Sequence, residues 1–321
     1  MADKFNIDKA SLKELIDERI SRLESVPNEL LTVIDRNNKA AFNAILDELS
    51  KLETADGKII ASKENLARVN FIIERLKRAL LNKEYVDAIK AFAGEIATQA
   101  QINDKILEKT VGTFEDDELY SQTIKNAQKN ALLLLDESAI ATSVLQPVSE
   151  ILSNSILTST SYLQSVEALR TNLVGENAVL TKYAGQIVKD AFAVSDRQYV
   201  QLTAKSHGIE FYRWDGGKVE DTREFCRERA GKVFHQKEIA EWGRGKNTRS
   251  EFQRPKYLYT TSAGVKVYWE GMNYDTNSAT IFSYFGGYNC NHVAVPIATE
   301  YVSADVKKRA EELGYYEPVE D

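Results

Sequence analysis

A chain of 321 residues, 43% hydrophobic and 28% charged, is long enough for two or three packed domains with a sizeable core. Its formal net charge of −7 excludes a uniformly cationic coat for nucleic acid, though not a local basic patch. Two cysteines exclude a disulfide framework and fit a reducing compartment, with the thiols free or metal-bound. The opening Met1-Ala2-Asp3-Lys4-Phe5 does not follow the basic-then-apolar plan of a secretory leader. The longest uninterrupted apolar run, at 131–135, is far short of the roughly 18 residues that cross a bilayer. The expected setting is the cytoplasm where the chain is made, with no membrane partner.

Residues 7–25 carry Ile7, Leu12, Leu15, Ile16, Ile20 and Leu23 at helical spacing, with charges on the other faces. Pro27 is expected to end this helix and open the next, whose stripe is Leu30, Leu31, Ile34, Phe42, Ile45, Leu46, Leu49 and Leu52. Asp56-Gly57 reads as a turn. Ser62 suits the cap of a third helix, with Leu66, Val69, Ile72, Ile73, Leu76 and Leu80 along one side. A fourth helix is expected from about Tyr85 to about Glu108, interrupted only by Gly94. Residues 1–111 are thus expected to form an amphipathic helical arm, as a bundle or a coiled coil. Its apolar stripes serve its own core or self-association.

Gly112-Thr113 and the acidic Glu115-Asp116-Asp117-Glu118 mark a break and a new helix start, where the helix dipole favours negative charge. Through 112–207 the pattern stays helical. Ser and Thr become frequent, Pro147 and Gly175 punctuate, and Leu145, Val148, Ile151, Leu152 and Ile156 keep an apolar stripe. This segment is expected to pack towards the C-terminal part.

From 208 to 321 the texture changes: 19 of the 30 aromatics and 11 of the 16 glycines fall here. Strands are expected at 209–214, 257–260, 265–269 and 280–284, with turns at Asp215-Gly216-Gly217 and Ser262-Ala263-Gly264. Short helices are expected at 237–242 and 302–313, the latter ended by Gly314. The whole chain therefore reads as mainly α: a long helical region followed by a small α+β domain.

Both cysteines lie in this last segment, and all three histidines fall from His207 onward. Cys290 and His292, two apart, point the same way on an extended segment. With Cys226 and His235 from the other half they would make a Cys2His2 tetrahedron suited to zinc. A Cys226–Cys290 disulfide, or buried thiols with His292 bonded to a strand, are the other readings. Catalysis by a Cys-His pair is the weaker case, because parallel side chains meet poorly. No Walker loop, dinucleotide fingerprint or nucleophile elbow occurs. From 223 to 256 there are ten Lys or Arg against five Glu. Arg244, Lys246, Arg249 and Arg254 are expected on a surface loop that meets phosphates or an acidic protein face.

At these residues the chain resembles the phage Mu F-like minor head protein family. The likeness rests on Arg223-Glu224-Phe225-Cys226 leading to Gly231-Lys232-Val233-Phe234, and on Gly286-Gly287-Tyr288-Asn289-Cys290-Asn291-His292 with Pro296 beyond. It covers roughly the last 115 residues, after a helical region such as these proteins usually carry. The resemblance implies a structural, non-enzymatic virion protein near the portal vertex or the capsid interior, serving head assembly, DNA packaging or delivery. Portal and other head proteins would be its partners, and the basic stretch would face packaged DNA or the portal. Two positions depart from the family pattern: Arg223 stands where many members have a cysteine, and Asn291-His292 follow Cys290 where many have a further cysteine or an arginine. The competing expectation is a small hydrolase or nuclease dependent on zinc or on Cys and His.

Overall fold

The computed structural model describes residues 9–112, 118–175, 177–217, 220, 222–244, 257–273, 276–287 and 290–318. It is mainly helical, 69% helix against 9% strand, with the sheet in the C-terminal region, as the sequence pattern predicts. In chain order, helix α1 (Lys9–Leu49) precedes a hairpin of β1 (Thr54–Ala55) and β2 (Lys58–Ile59). Helices α2 (Lys63–Leu80), α3 (Lys83–Val111), α4 (Glu118–Leu134), α5 (Glu137–Ile140), α6 (Gln146–Leu157), α7 (Tyr162–Leu173) and α8 (Val179–Ser206) follow. Then come β3 (Phe211–Asp215), α9 (Glu224–Arg227), β4 (Val233–His235), α10 (Gln236–Trp242), β5 (Tyr257–Thr260) and β6 (Lys266–Tyr268). The described chain closes with α11 (Ile281–Tyr284), β7 (Val293–Ile297) and α12 (Ala304–Glu312).

Two compact units emerge, and both are discontinuous in sequence. One takes Met1–Glu24, Ile96–Ala127 and Lys189–Asp321; the other takes Ser25–Glu95 and Gln128–Val188. The boundaries expected after 111 and after 207 are not unit boundaries, because α1, α3, α4 and α8 each carry residues of both. Segmenting by composition assigns a long helix whole, whereas its stripe can serve two cores.

Pro27 does not end the first helix; it lies inside α1. Proline removes one backbone donor, leaving the Leu23 carbonyl without its usual partner four residues on. The helix continues because its buried face is unbroken across the site: Leu23, Val26, Leu30 and Ile34 are all in the core. Asp56 and Gly57 both have positive φ, 51° and 73°, and close the β1–β2 hairpin. The Ser62 hydroxyl accepts the Asn65 N–H at 3.1 Å, capping α2. The Asn65 side chain in turn donates to the Glu53 and Ile60 carbonyls, tying the hairpin to the helix. Ser62→Ala is expected to cost about 1 kcal/mol of stability, read as a shift in the urea midpoint.

The stretch Glu118–Leu157 is long and apolar enough, by composition, to cross a bilayer, with a mean hydropathy of 1.3 in its best window. The uninterrupted run at 131–135 did not reveal this, because Ser, Thr and Ala dilute the rest. Leu135 and Asp136 interrupt its helices, and Asp136 caps α5 through the Ala139 N–H. A π-helical turn, Ala141–Leu145, leads into α6, which packs on α2 and α7. Ile140, Val144, Val148, Leu152 and Ile156 are buried there along one face, although only 33% of the most apolar window is buried.

In the other unit, a three-stranded antiparallel sheet runs β4-β3-β7. Central β3 pairs Phe211 with His235 and Ile297 at one end, and Asp215 with Val293 at the other. Trp214, Phe225, Trp242 and Phe285 form an aromatic core against one face, joined by Cys226 and Cys290. Trp214 meets Phe225 and Trp242 edge-on, with ring centres 5.8 and 5.4 Å apart. The strand expected at 280–284 is instead the single helical turn α11. Asn277 accepts the N–H groups of Ala279 and Thr280 with its side chain, and Thr280 Oγ1 accepts the Asn277 N–H. These local bonds compete with a strand ladder and start a helix.

Candidate metal centre

Helix α9 is only one turn long, but it is firmly placed. Phe225 is buried between Trp214 and Trp242, and its N–H donates to the Glu270 carboxylate. Arg229 is fully buried with its guanidinium 3.8 Å from the centre of the Phe225 ring, and donates to the Phe225 and Lys266 carbonyls. Burial lowers its pKa to about 10. The next residue of the turn after Phe225, Cys226, is thereby aimed inward.

Opposite it, Cys290 and His292 lie on the extended segment that enters β7. Cys226, Cys290 and His292 are all buried, and their ligand atoms lie within 4.8 Å of one another. The Cys226 and Cys290 sulfurs are 3.6 Å apart, and Cys290 Sγ is 3.7 Å from His292 Nδ1. The ring does meet the sulfur. Residues 290–292 precede the strand rather than belong to it, so alternation of side chains does not apply.

Three groups hold this arrangement. Arg197, buried on α8, donates to the carbonyls of Ser283, Cys290 and His292, and its guanidinium sits 4.3 Å from the centre of the Phe285 ring. Arg223 donates to the Gly286 carbonyl at 2.6 Å, joining the two motif halves. Glycines leave room for the donors. A Cβ on Gly216 would come within 2.3 Å of His292 Cδ2, and one on Gly286 within 2.1 Å of Cys290 Sγ. Gly286 also has φ +76°, which disfavours any side chain. Gly286→Ala is expected to cost about 2 kcal/mol or more, from left-handed strain plus the clash on sulfur. Gly314→Ala, at φ +67° with nothing within 4 Å, isolates the backbone part. Equal losses for the two variants in urea denaturation would refute the clash.

The hydrogen bond from Cys226 holds Cys290 well below the ordinary thiol range; His292 and Arg197 add to this against burial. The same hydrogen bond, with burial, pushes Cys226 up.

His235 does not join the cluster. Its Nδ1 accepts the Lys237 N–H, its ring packs edge-on against Phe211, and Glu210 lies 3.7 Å from its Nε2. Strand register explains the separation. His235 pairs with Phe211, while His292 adjoins the Asp215 end, four residues and about 13 Å along β3.

Arg244 follows α10 and pairs with Glu241 at 2.7 Å, its own side chain largely exposed. Lys246, Arg249 and Arg254 lie outside the described residues. Part of the remaining local positive charge is bonded to the backbone: Arg223, Arg227 and Arg229 all donate to backbone carbonyls, Arg229 from a buried and Arg227 from an exposed position. Sequence reasoning did not find Arg197, which lies 93 residues from Cys290 in an ordinary-looking helix. Gly216 was visible only as a turn.

Compared with known proteins, the chain matches no family model, no curated protein and no solved structure.

Proposed function

We propose that the chain is a structural minor head protein of a tailed bacteriophage, placed near the portal vertex or the capsid interior. The reading is supported by convergence. The two motif halves that carry the resemblance to Mu F-like proteins, 64 residues apart at their cysteines, meet in one buried cluster at 3.6 Å. Arg223, from the first half, bonds the Gly286 carbonyl of the second. Short motifs shared by chance would have no reason to fold onto one another. The helices ahead of this module supply surface for docking to the portal or to sister copies.

Purified virions decide the matter. Mass spectrometry is expected to find the chain in heads, and a virion reconstruction to place its density beside the portal. Absence from heads would sink the reading, and density in the tail would move the protein to another role.

The enzyme alternative draws on the contact between Cys290 and His292. It is disfavoured by burial: Cys290 is 5% exposed, and Gly286 packs directly against its sulfur. The cavity beside Cys290, about 200 Å³, admits water but is small against the roughly 300–1,000 Å³ of ligand pockets. Loss of a hydrolase or nuclease activity in Cys290→Ala would favour it.

A further inference from the structure

We propose that Cys226, Cys290 and His292 bind a zinc ion whose fourth ligand is a solvent water. This goes beyond the minor-head reading and does not depend on it.

The distances carry the inference. In a tetrahedral site with Zn–S of about 2.3 Å and Zn–N of about 2.1 Å, two sulfurs lie about 3.8 Å apart and a sulfur and nitrogen about 3.6 Å. Two of the three separations are 3.6 and 3.7 Å, and the third, between Cys226 and His292, is within 4.8 Å. A disulfide requires sulfurs about 2.05 Å apart. Reaching that would pull the sulfurs out of a seat fixed by Gly286, Arg197 and Arg223, and would leave His292 unused. The donors are also available. Among the described residues the two sulfurs and His292 Nδ1 bond only to one another, and His292 Nε2 is buried without a partner. Two sulfurs and an imidazole form a donor set that suits zinc.

The geometry is prepared before any ion arrives. Arg197 grips the carbonyls on both sides of the Cys290–His292 segment, and Trp214 stacks over the His292 ring at 6.3 Å. With both thiols ionised and the imidazole neutral, a divalent ion brings the centre to zero net charge, which suits a buried site.

Among the described residues three supply ligands, and three protein ligands mark the open form of a zinc centre. Cys290 borders a cavity of about 200 Å³, lined also by Asp190, Arg197, Asn273, Tyr284 and Gly287. Polar groups and space of this size suit ordered water. His235 cannot close the site, since it lies at the other end of β3.

Full-length protein produced with added zinc is expected to contain one zinc per chain by elemental analysis. Cys290→Ser and His292→Gln should each lose it, while His235→Gln, checked by circular dichroism, keeps it. As a guard against misfolding of the first two variants, the wild-type chain is also loaded with cobalt. A thiolate-to-cobalt charge-transfer band with tetrahedral visible bands is expected, and azide should shift those bands by replacing water. Several outcomes overturn the proposal: no zinc above the level of the Cys226→Ser/Cys290→Ser chain; zinc retained by folded Cys290→Ser; a Cys226–Cys290 disulfide in freshly purified, zinc-free protein. A cobalt spectrum indifferent to azide overturns the open fourth position.

Discussion

Asp196→Ala is expected to cost about 3–5 kcal/mol of stability, the range for removing one partner of a buried ion pair. Arg19 on α1 meets Asp196 on α8 in a two-pronged contact, Nε to Oδ1 at 3.1 Å and Nη2 to Oδ2 at 2.8 Å. Both side chains are buried, 1% and 3% exposed as residues. Gln99 and Asn103 each donate to Asp196 Oδ1 at 2.9 Å. Alanine would leave a buried guanidinium without its counter-charge and take an acceptor from both the Gln99 and the Asn103 amides. The double change Arg19→Met with Asp196→Leu should lose less than Asp196→Ala, since it removes both charges together. A pH dependence follows with a definite sign. Burial pushes the Asp196 carboxyl up, but the charge and hydrogen bond of Arg19, with Asn103 and Gln99, outweigh it and hold the group below its ordinary value. A carboxylate with a depressed folded pKa contributes stability above its unfolded value, about 3.9, and loses it as pH falls towards the folded one. The wild-type urea midpoint should therefore fall between pH 5 and pH 3 by more than that of Asp196→Asn. Parallel curves for the two proteins would rule out this contribution.

The helical stripes were legible in the sequence because burial repeats at helical spacing. Val69, Ile72, Leu76 and Leu80 of α2 are buried as that spacing demands, whereas Leu66 at its start is exposed and Asn65 is buried in its place. Where one residue outweighed the pattern, the reading went astray: Pro27 looked like a terminus, although the apolar face runs through it. Thr280 looked like a strand start, although Asn277 and Thr280 bond locally into a turn. That Cys226, Cys290 and a histidine come together was legible through rarity, since a chain with two cysteines and three histidines offers few sets. Which histidine joins them was not, because register decides that and spacing does not reveal it. His235 and His292 sit at opposite ends of β3. The buried charges were the least legible. Arg19, Asp196 and Arg197 occupy helices rich in charge, and nothing local separates a charge facing a carbonyl from one facing water.

Arg197→Ala is expected to cost about 3 kcal/mol or more, and to loosen the centre as well. The guanidinium is 5% exposed and serves the carbonyls of Ser283, Cys290 and His292. A buried acceptor that loses its donor costs about 1–3 kcal/mol, more when the bond was to a charged group. The lost stacking on Phe285 and the volume left behind add to this. Arg197→Lys should recover only part, because an ammonium is a compact point charge and cannot spread planar donors over three carbonyls. Arg223→Ala provides the comparison. It removes the bond to Gly286 from a partly exposed site, and should cost about 1 kcal/mol. Urea denaturation at neutral pH should therefore rank the chains wild type, Arg223→Ala, Arg197→Lys and Arg197→Ala in falling stability. Cobalt-loaded protein gives a readout that general destabilisation does not move. Folded Arg197→Ala should show broadened, weaker thiolate-to-cobalt absorption, because Cys290 and His292 are no longer held at one spacing. An unchanged cobalt spectrum in folded Arg197→Ala would mean that the segment keeps its shape alone, and that Arg197 serves packing rather than the centre.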